Sequence, residues 1–160
     1  MLVEAGFWVC LALVLYIYGG YPAVIFMLSR TLRRTIWKSD IYPRVTVIIS
    51  AFNEEKEIES TVENKLVQDY PQDLLEIIVV SDGSTDRTDE IVCSLAERSE
   101  GRLKFLRQEL RQGKTQALNL AVSEASGEIL VFADANSMYA LDTLKKIVRN
   151  FADPSVGYVT

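Results

Sequence analysis

Three short polar stretches carry the residue types that could do chemistry. Ser50, Ala51, Phe52, Asn53 and Glu54 follow an apolar run at 44–50, Ser81 to Asp86 (SDGSTD) follow another, and Asp134 to Ser137 (DANS) follow a third. Each stands where an apolar segment stops, and in open α/β sheets ligands bind outside the carboxyl ends of the strands. Asp82 and Asp134 would repel a diphosphate unless a divalent cation or basic side chains intervene. Oxygen donors of this kind suit Mg²⁺ or Mn²⁺, which take one or two carboxylates and complete their shell with phosphate oxygens and water. Lys114, with Arg111 near it in sequence, supplies positive charge. This chemistry points to a nucleoside diphosphate held through a cation.

Other chemistries are excluded by what the sequence lacks. It contains no histidine, which removes a histidine base, a Cys2His2 zinc site and a Ser-His-Asp triad. The stretch RQGKT (111–115) resembles the tail of a P-loop, but the pattern needs glycine at 108, where Gln108 stands. No G-x-G-x-x-G follows the first apolar run; AFNEE is there instead. A net charge of −5 gives no support to a nucleic-acid partner. The two cysteines, Cys10 and Cys93, form no evident pair and fit a reduced, cytosolic globular part.

The elements that must position these residues follow from the pattern. Residues 5–29 contain no charged side chain and exceed the ~20 residues needed to cross a ~30 Å hydrocarbon core. Arg30, Arg33, Arg34 and Lys38 follow that run and only Glu4 precedes it. The positive-inside rule then places the N-terminus outside the cell membrane and the globular part in the cytoplasm. Residues 1–43 read as anchor and juxtamembrane linker, and 44–160 as the globular domain. There, strands are expected at 44–50, 76–81, 102–107 and 128–133, the last a buried core strand, with a fifth beginning at 156–160. Helices are expected at 53–68 with Glu54, Glu55 and Glu57 in the first turn, around Ile91 to Ala96, at 114–125 closed by Gly127, and at 141–151 with Leu141 inward. Alternation at this spacing implies a parallel, Rossmann-like three-layer α/β sheet with right-handed crossovers.

Four motifs then stand in order: VTVIISAFNEE, EIIVVSDGSTDRTDEIV, QGKTQALNLAV and GEILVFADAN. Together they resemble the N-terminal half of a family 2 inverting glycosyltransferase with the GT-A fold, over Arg44 to Thr160. The preceding apolar run makes the chain similar to the membrane-bound cellulose, hyaluronan and poly-N-acetylglucosamine synthase branch. The resemblance implies that Ser50, Ala51 and Phe52 line the nucleotide base pocket, with Asn53 and Glu54 completing the first loop. It makes Asp82 the residue that recognises uracil, Lys114 a nucleotide contact and Asn119 a brace for its helix. Asp134 matches the first aspartate of the D-x-D motif, where metal, ribose and diphosphate meet.

Asn136 stands in place of the second aspartate, either as a neutral metal ligand beside Asp134 or as the cap of the following turn. Asp82 has an Asx-turn as its alternative role, and Lys114 that of a solvated helix-start lysine. Ser81 replaces the first of the family's paired aspartates, a change expected to matter little. Tyr139 and Phe132 are expected to pack at the core or rim. The implied activity is transfer of a sugar from a UDP-sugar to a polysaccharide or glycolipid acceptor. Alternatives are single transfer to a lipid phosphate, or a nucleotide-binding or interaction module without turnover, paired with other membrane subunits. No residue matches the family's general base, which is expected beyond Thr160, so the chain is expected to be inactive alone.

Overall fold

The structure, a computed structural model, describes residues 1–32 and 34–160. Arg33, one of the basic residues counted after the apolar run, lies outside the described residues. The chain divides into two units, Met1–Ile36 and Trp37–Thr160.

In the first unit, helix α1 (Leu2–Leu15) and helix α2 (Tyr21–Thr31) are joined without a break by a π turn at Tyr16–Gly20. Pro22 has no N–H for the Tyr18 carbonyl, so the ladder must adjust there. It does so by widening: the Tyr21 amide donates to the Tyr16 carbonyl, five residues back. Gly20 suits this turn, because a Cβ would lie 2.9 Å from the Tyr16 ring. The 30-residue helix, about 45 Å at ~1.5 Å per residue, is long and apolar enough to cross a membrane by length and composition.

The second unit holds a four-stranded parallel sheet of β1 (Val45–Ala51), β2 (Leu75–Asp82), β3 (Leu103–Gln108) and β4 (Ile129–Asp134), in the order β3-β2-β1-β4. Its central strands are runs of valine and isoleucine buried on both faces, as a sheet covered by helices requires. Val45, Val47, Ile49, Ile77 and Val79 face one side. There they meet Ile58 and Val62 of α3 (Ile58–Leu66), Val92 and Leu95 of α4 (Thr88–Arg98), and Leu144 and Val148 of α6 (Thr143–Val148). Ile48, Ile78 and Val80 face the other side, against Ala117 and Ala121 of α5 (Lys114–Glu124). This is the expected three-layer parallel α/β architecture. Each fully buried valine or isoleucine contributes ~1.5–3 kcal/mol to holding it. The segment after Ile36 lies on the same unit: the Ser39 amide donates to the Arg149 carbonyl and Tyr70 Oη donates to the Pro43 carbonyl.

Several boundaries differ from expectation for physical reasons. Helix α3 starts at Ile58, not at residue 53. Asn53 has a φ of 56°, and the amides of Glu54 and Glu55 donate to Thr88 and Asp86 rather than entering a helix. Glu54, Glu55 and Glu57 therefore belong to a turn. Strand β4 is an edge strand with Phe132 exposed, since only β1 pairs with it. Residues 156–160 form no strand, Leu141 is exposed, and α6 passes at Val148 into a short 3-10 turn. Gly127 does not serve as a left-handed cap. It is needed because a Cβ would lie 2.5 Å from the Thr46 amide nitrogen.

Candidate functional site

Register brings the polar stretches together. Ser50 pairs with Asp134 across β1 and β4, and Ala51 pairs with Ser81 across β1 and β2. All three loops therefore leave the sheet at one edge.

The first two are tied to each other. Asn53 Oδ1 accepts the Thr85 amide at 2.8 Å, and the Asn53 amide donates to Ser84 Oγ at 3.2 Å. Ser81, buried, donates from Oγ to Ser84 Oγ at 2.9 Å. The Glu54 amide donates to Thr88 Oγ1 at 2.8 Å, and that hydroxyl donates to Asp86 Oδ1 at 2.6 Å. Desolvation pulls the Asp86 carboxyl upward, but hydrogen bonds from Thr88 and the Glu55 amide outweigh it and hold the group low. Asn53 and Glu54 thus act in this structure as loop fasteners.

Asp82 is only 3% exposed. Its Oδ1 accepts the Gln112 amide at 2.8 Å and its Oδ2 the Gly113 amide at 2.9 Å. The carboxylate therefore organises the loop entering α5, thirty residues on, rather than a local Asx-turn. Gly83 lets the two loops touch: its φ is +69°, and a Cβ would stand 2.9 Å from the Arg111 amide nitrogen. The Arg111 guanidinium carbon sits 3.8 Å from the centre of the Phe52 ring, a cation–π contact beside Asp82. Arg111, noted in the sequence only as nearby charge, is thus part of the site.

Asp134 is different. Its side chain is 65% exposed, and Oδ1 pairs with Lys114 Nζ at 2.6 Å. Lys114 therefore stands against the D-x-D-like carboxylate, where it can also meet an anionic phosphate. The turn after Asp134 is closed by Ser137, whose amide and hydroxyl both donate to the Asp134 carbonyl. Asn136 is exposed, and among the described residues its side chain forms no hydrogen bond. Asp134 and Asn136 so present two oxygen donors on one turn, a set that fits a Mg²⁺ or Mn²⁺ ion sharing phosphate oxygens. Among the described residues no three carboxylates or cysteines gather into a site that would hold a metal unaided. Asn119 is exposed on the outer face of α5, where among the described residues its side chain forms no hydrogen bond, while Ala117 and Ala121 face inward.

Sequence reasoning missed a lysine beneath this turn. Lys65, fully buried in α3, donates to the Ser137 carbonyl and, at 3.1 Å, to Asn64 Oδ1. The Tyr139 ring centre lies 3.8 Å from its Nζ. Burial pushes its pKa down to about 8. The Tyr139 phenol is raised, first by burial and then by the charge of Asp134. A signal existed: Lys65 is three residues after Val62, on the face of α3 that packs on the sheet.

The model of glycosyl transferase family 2 matches residues 46–160. The chain belongs to that family. It is 29% identical over 150 residues to the poly-beta-1,6-N-acetyl-D-glucosamine synthase of Staphylococcus aureus (strain COL), covering 90% of this chain and 35% of the relative. Among solved structures it is similar to the mannosyltransferase PcManGT from Pyrobaculum calidifontis in complex with GDP-Man and Mn²⁺. That match has a TM-score of 0.80 and 38% identity, over 92% of this chain and 44% of that one. It is also similar to S. aureus TarS 1–349 in complex with UDP-GlcNAc, with a TM-score of 0.60 and 31% identity, over 66% of this chain and 30% of that one. The chain thus spans about a third of the length of the family 2 synthase it matches. Its parallel α/β sheet is the N-terminal half of a GT-A fold.

Proposed function

We propose that this chain is the donor-binding part of a membrane-anchored family 2 glycosyltransferase. It takes a nucleotide-sugar, preferentially a UDP-sugar, with Mg²⁺ or Mn²⁺, and serves transfer to a polysaccharide or lipid-linked acceptor. The observation that carries this reading is the meeting of three strand-end loops at one sheet edge, with Asp134 opposite Ser50 on one side of β1 and Asp82 directly after Ser81, the partner of Ala51, on the other. Phe52 and Arg111 offer stacking faces for a base. Asp82 orients the loop that carries Gln112 to Lys114, and so acts on the base through that loop. Lys114 offers its ammonium to the diphosphate. Asp134 and Asn136 would hold the cation, which acts when bound as a Lewis acid for the departing diphosphate. The 30-residue apolar helix supports an anchor, and the basic residues after it favour a cytoplasmic globular part.

Relatives in complexes with GDP-Man and with UDP-GlcNAc make the base the first thing to test. UDP and GDP are titrated calorimetrically into the whole chain in detergent micelles, with and without Mn²⁺. We expect Mn²⁺-dependent binding, tighter for UDP. A folded chain that binds neither nucleotide would replace the donor-site reading with that of an interaction module.

A further inference from the structure

We propose that Lys65 is a positioning residue for the donor-phosphate turn, fixing from beneath where Asp134 and Asn136 present their oxygens. This rests on the reading of that turn as the phosphate and cation site.

Lys65 is placed where packing alone would choose leucine or methionine. It is fully buried in α3, among Ile58, Val62 and the strands they cover. Burying an ammonium is costly unless it is well paired, and an apolar side chain of similar volume is often as stable or more so. Among the described residues no carboxylate pairs with Lys65. Its partners are the Ser137 carbonyl, Asn64 Oδ1 and the face of Tyr139. Two of these three lie in the segment directly after Asp134 and Asn136.

Asn64 completes the clamp. Its Nδ2 donates to the Tyr139 carbonyl at 3.0 Å and its Oδ1 accepts the Tyr139 amide at 2.7 Å. Adjacent residues of one helix thus grip the backbone at 137 and 139, while Ser137 itself closes the turn onto the Asp134 carbonyl. Among the described residues, helix α3 has no other polar anchor of this kind on its buried face. The clamp converts a solvent-exposed turn on an edge strand into one with a fixed backbone, which a cation site with a single carboxylate needs. Groups that orient ligands in this way typically change metal affinity by ~10–100-fold when removed.

The test uses the whole chain in micelles and the variant Lys65→Met, which keeps the volume and removes the charge. Three quantities are read: amide hydrogen exchange at 134–139, the Kd of UDP in Mn²⁺, and Tm. We expect roughly tenfold weaker Mn²⁺-dependent UDP binding, faster exchange confined to the turn, and a Tm that does not fall. A lowered Tm with unchanged exchange at the turn would make Lys65 a merely structural residue and overturn the proposal. Faster exchange with unchanged Kd would overturn it too. If the wild-type chain binds no UDP, the donor-site reading fails by itself, and exchange at 134–139 still decides whether Lys65 holds the turn. Should Lys65→Met not fold, Asn64→Ala is read in the same three ways, with the same outcomes supporting or overturning the clamp.

Discussion

Asp82 and Asp134 end strands on either side of β1, yet one is 3% exposed and held by backbone amides while the other is 65% exposed and meets one lysine. The first carboxylate is committed to the protein: it organises the loop from Gln112 to Lys114 whether or not a ligand is present. The second is committed to little, because an exposed ion pair contributes only ~0–1 kcal/mol. A site that must order a loop and also accept a variable charge separates the two tasks between two residues. Stability should therefore reside with Asp82 and cation-dependent affinity with Asp134.

The sharpest way to break this contrast is Asp134→Ala. We expect Mn²⁺-dependent UDP binding to weaken by ~100-fold or more, with Tm within about 2 °C of wild type. Calorimetry and a thermal melt read both. A large drop in Tm would mean that Asp134, too, is structural.

Next in size is Asp82→Ala, which leaves the Gln112 and Gly113 amides without their acceptor. A loss of about 2–3 kcal/mol is expected, measured as the midpoint of chemical denaturation. Asp82→Asn should recover part of it, because one carbonyl oxygen can still accept. Equal behaviour of the two variants would remove the amide clasp as the cause.

The remaining effect concerns pH. Lys65 is depressed from 10.5 to about 8 by burial, so above pH 8 the folded chain releases a proton that the unfolded chain retains until about 10.5. Stability should rise across that window, by at most ~1.4 kcal/mol per pH unit. Tyr70 is raised from 10.0 to about 12 by burial, with Tyr42 and Glu128 adding to it, so beyond pH 10 the folded chain retains a proton that the unfolded chain loses. Stability from this group should fall there. A denaturation midpoint that climbs from pH 8 to about 10 and then declines is the expected result, and Lys65→Met should flatten the climb.

The sheet was legible in the sequence because its strands are nearly continuous β-branched runs, and the site edge because every polar cluster follows one of them. The helix boundaries at Ile58 and Thr143 were not. A run of glutamates reads as a helix start by local propensity, whereas bonds to Thr88 and Asp86, thirty residues away, decide the backbone of Glu54 and Glu55. The partner of Asp82 was hidden for the same reason: it is a pair of amides, and amides carry no sequence signature. Lys65 was visible as a charge on an apolar helix face, but its meaning depends on Ser137 and Tyr139 arriving above it.

The strand order also sets a timetable for synthesis. β1 has β2 on one side, close in sequence, but on its other side β4, where Glu128 lies eighty-four positions after Arg44. At ~5–20 residues per second a ribosome needs roughly 4–17 s to make that stretch. For that interval one edge of VTVIISA, apolar and without charge, is unpaired and open to the wrong neighbour. When β4 emerges it removes this hazard and carries Asp134 to its place opposite Ser50. Protection of the nascent chain and assembly of the site are one event.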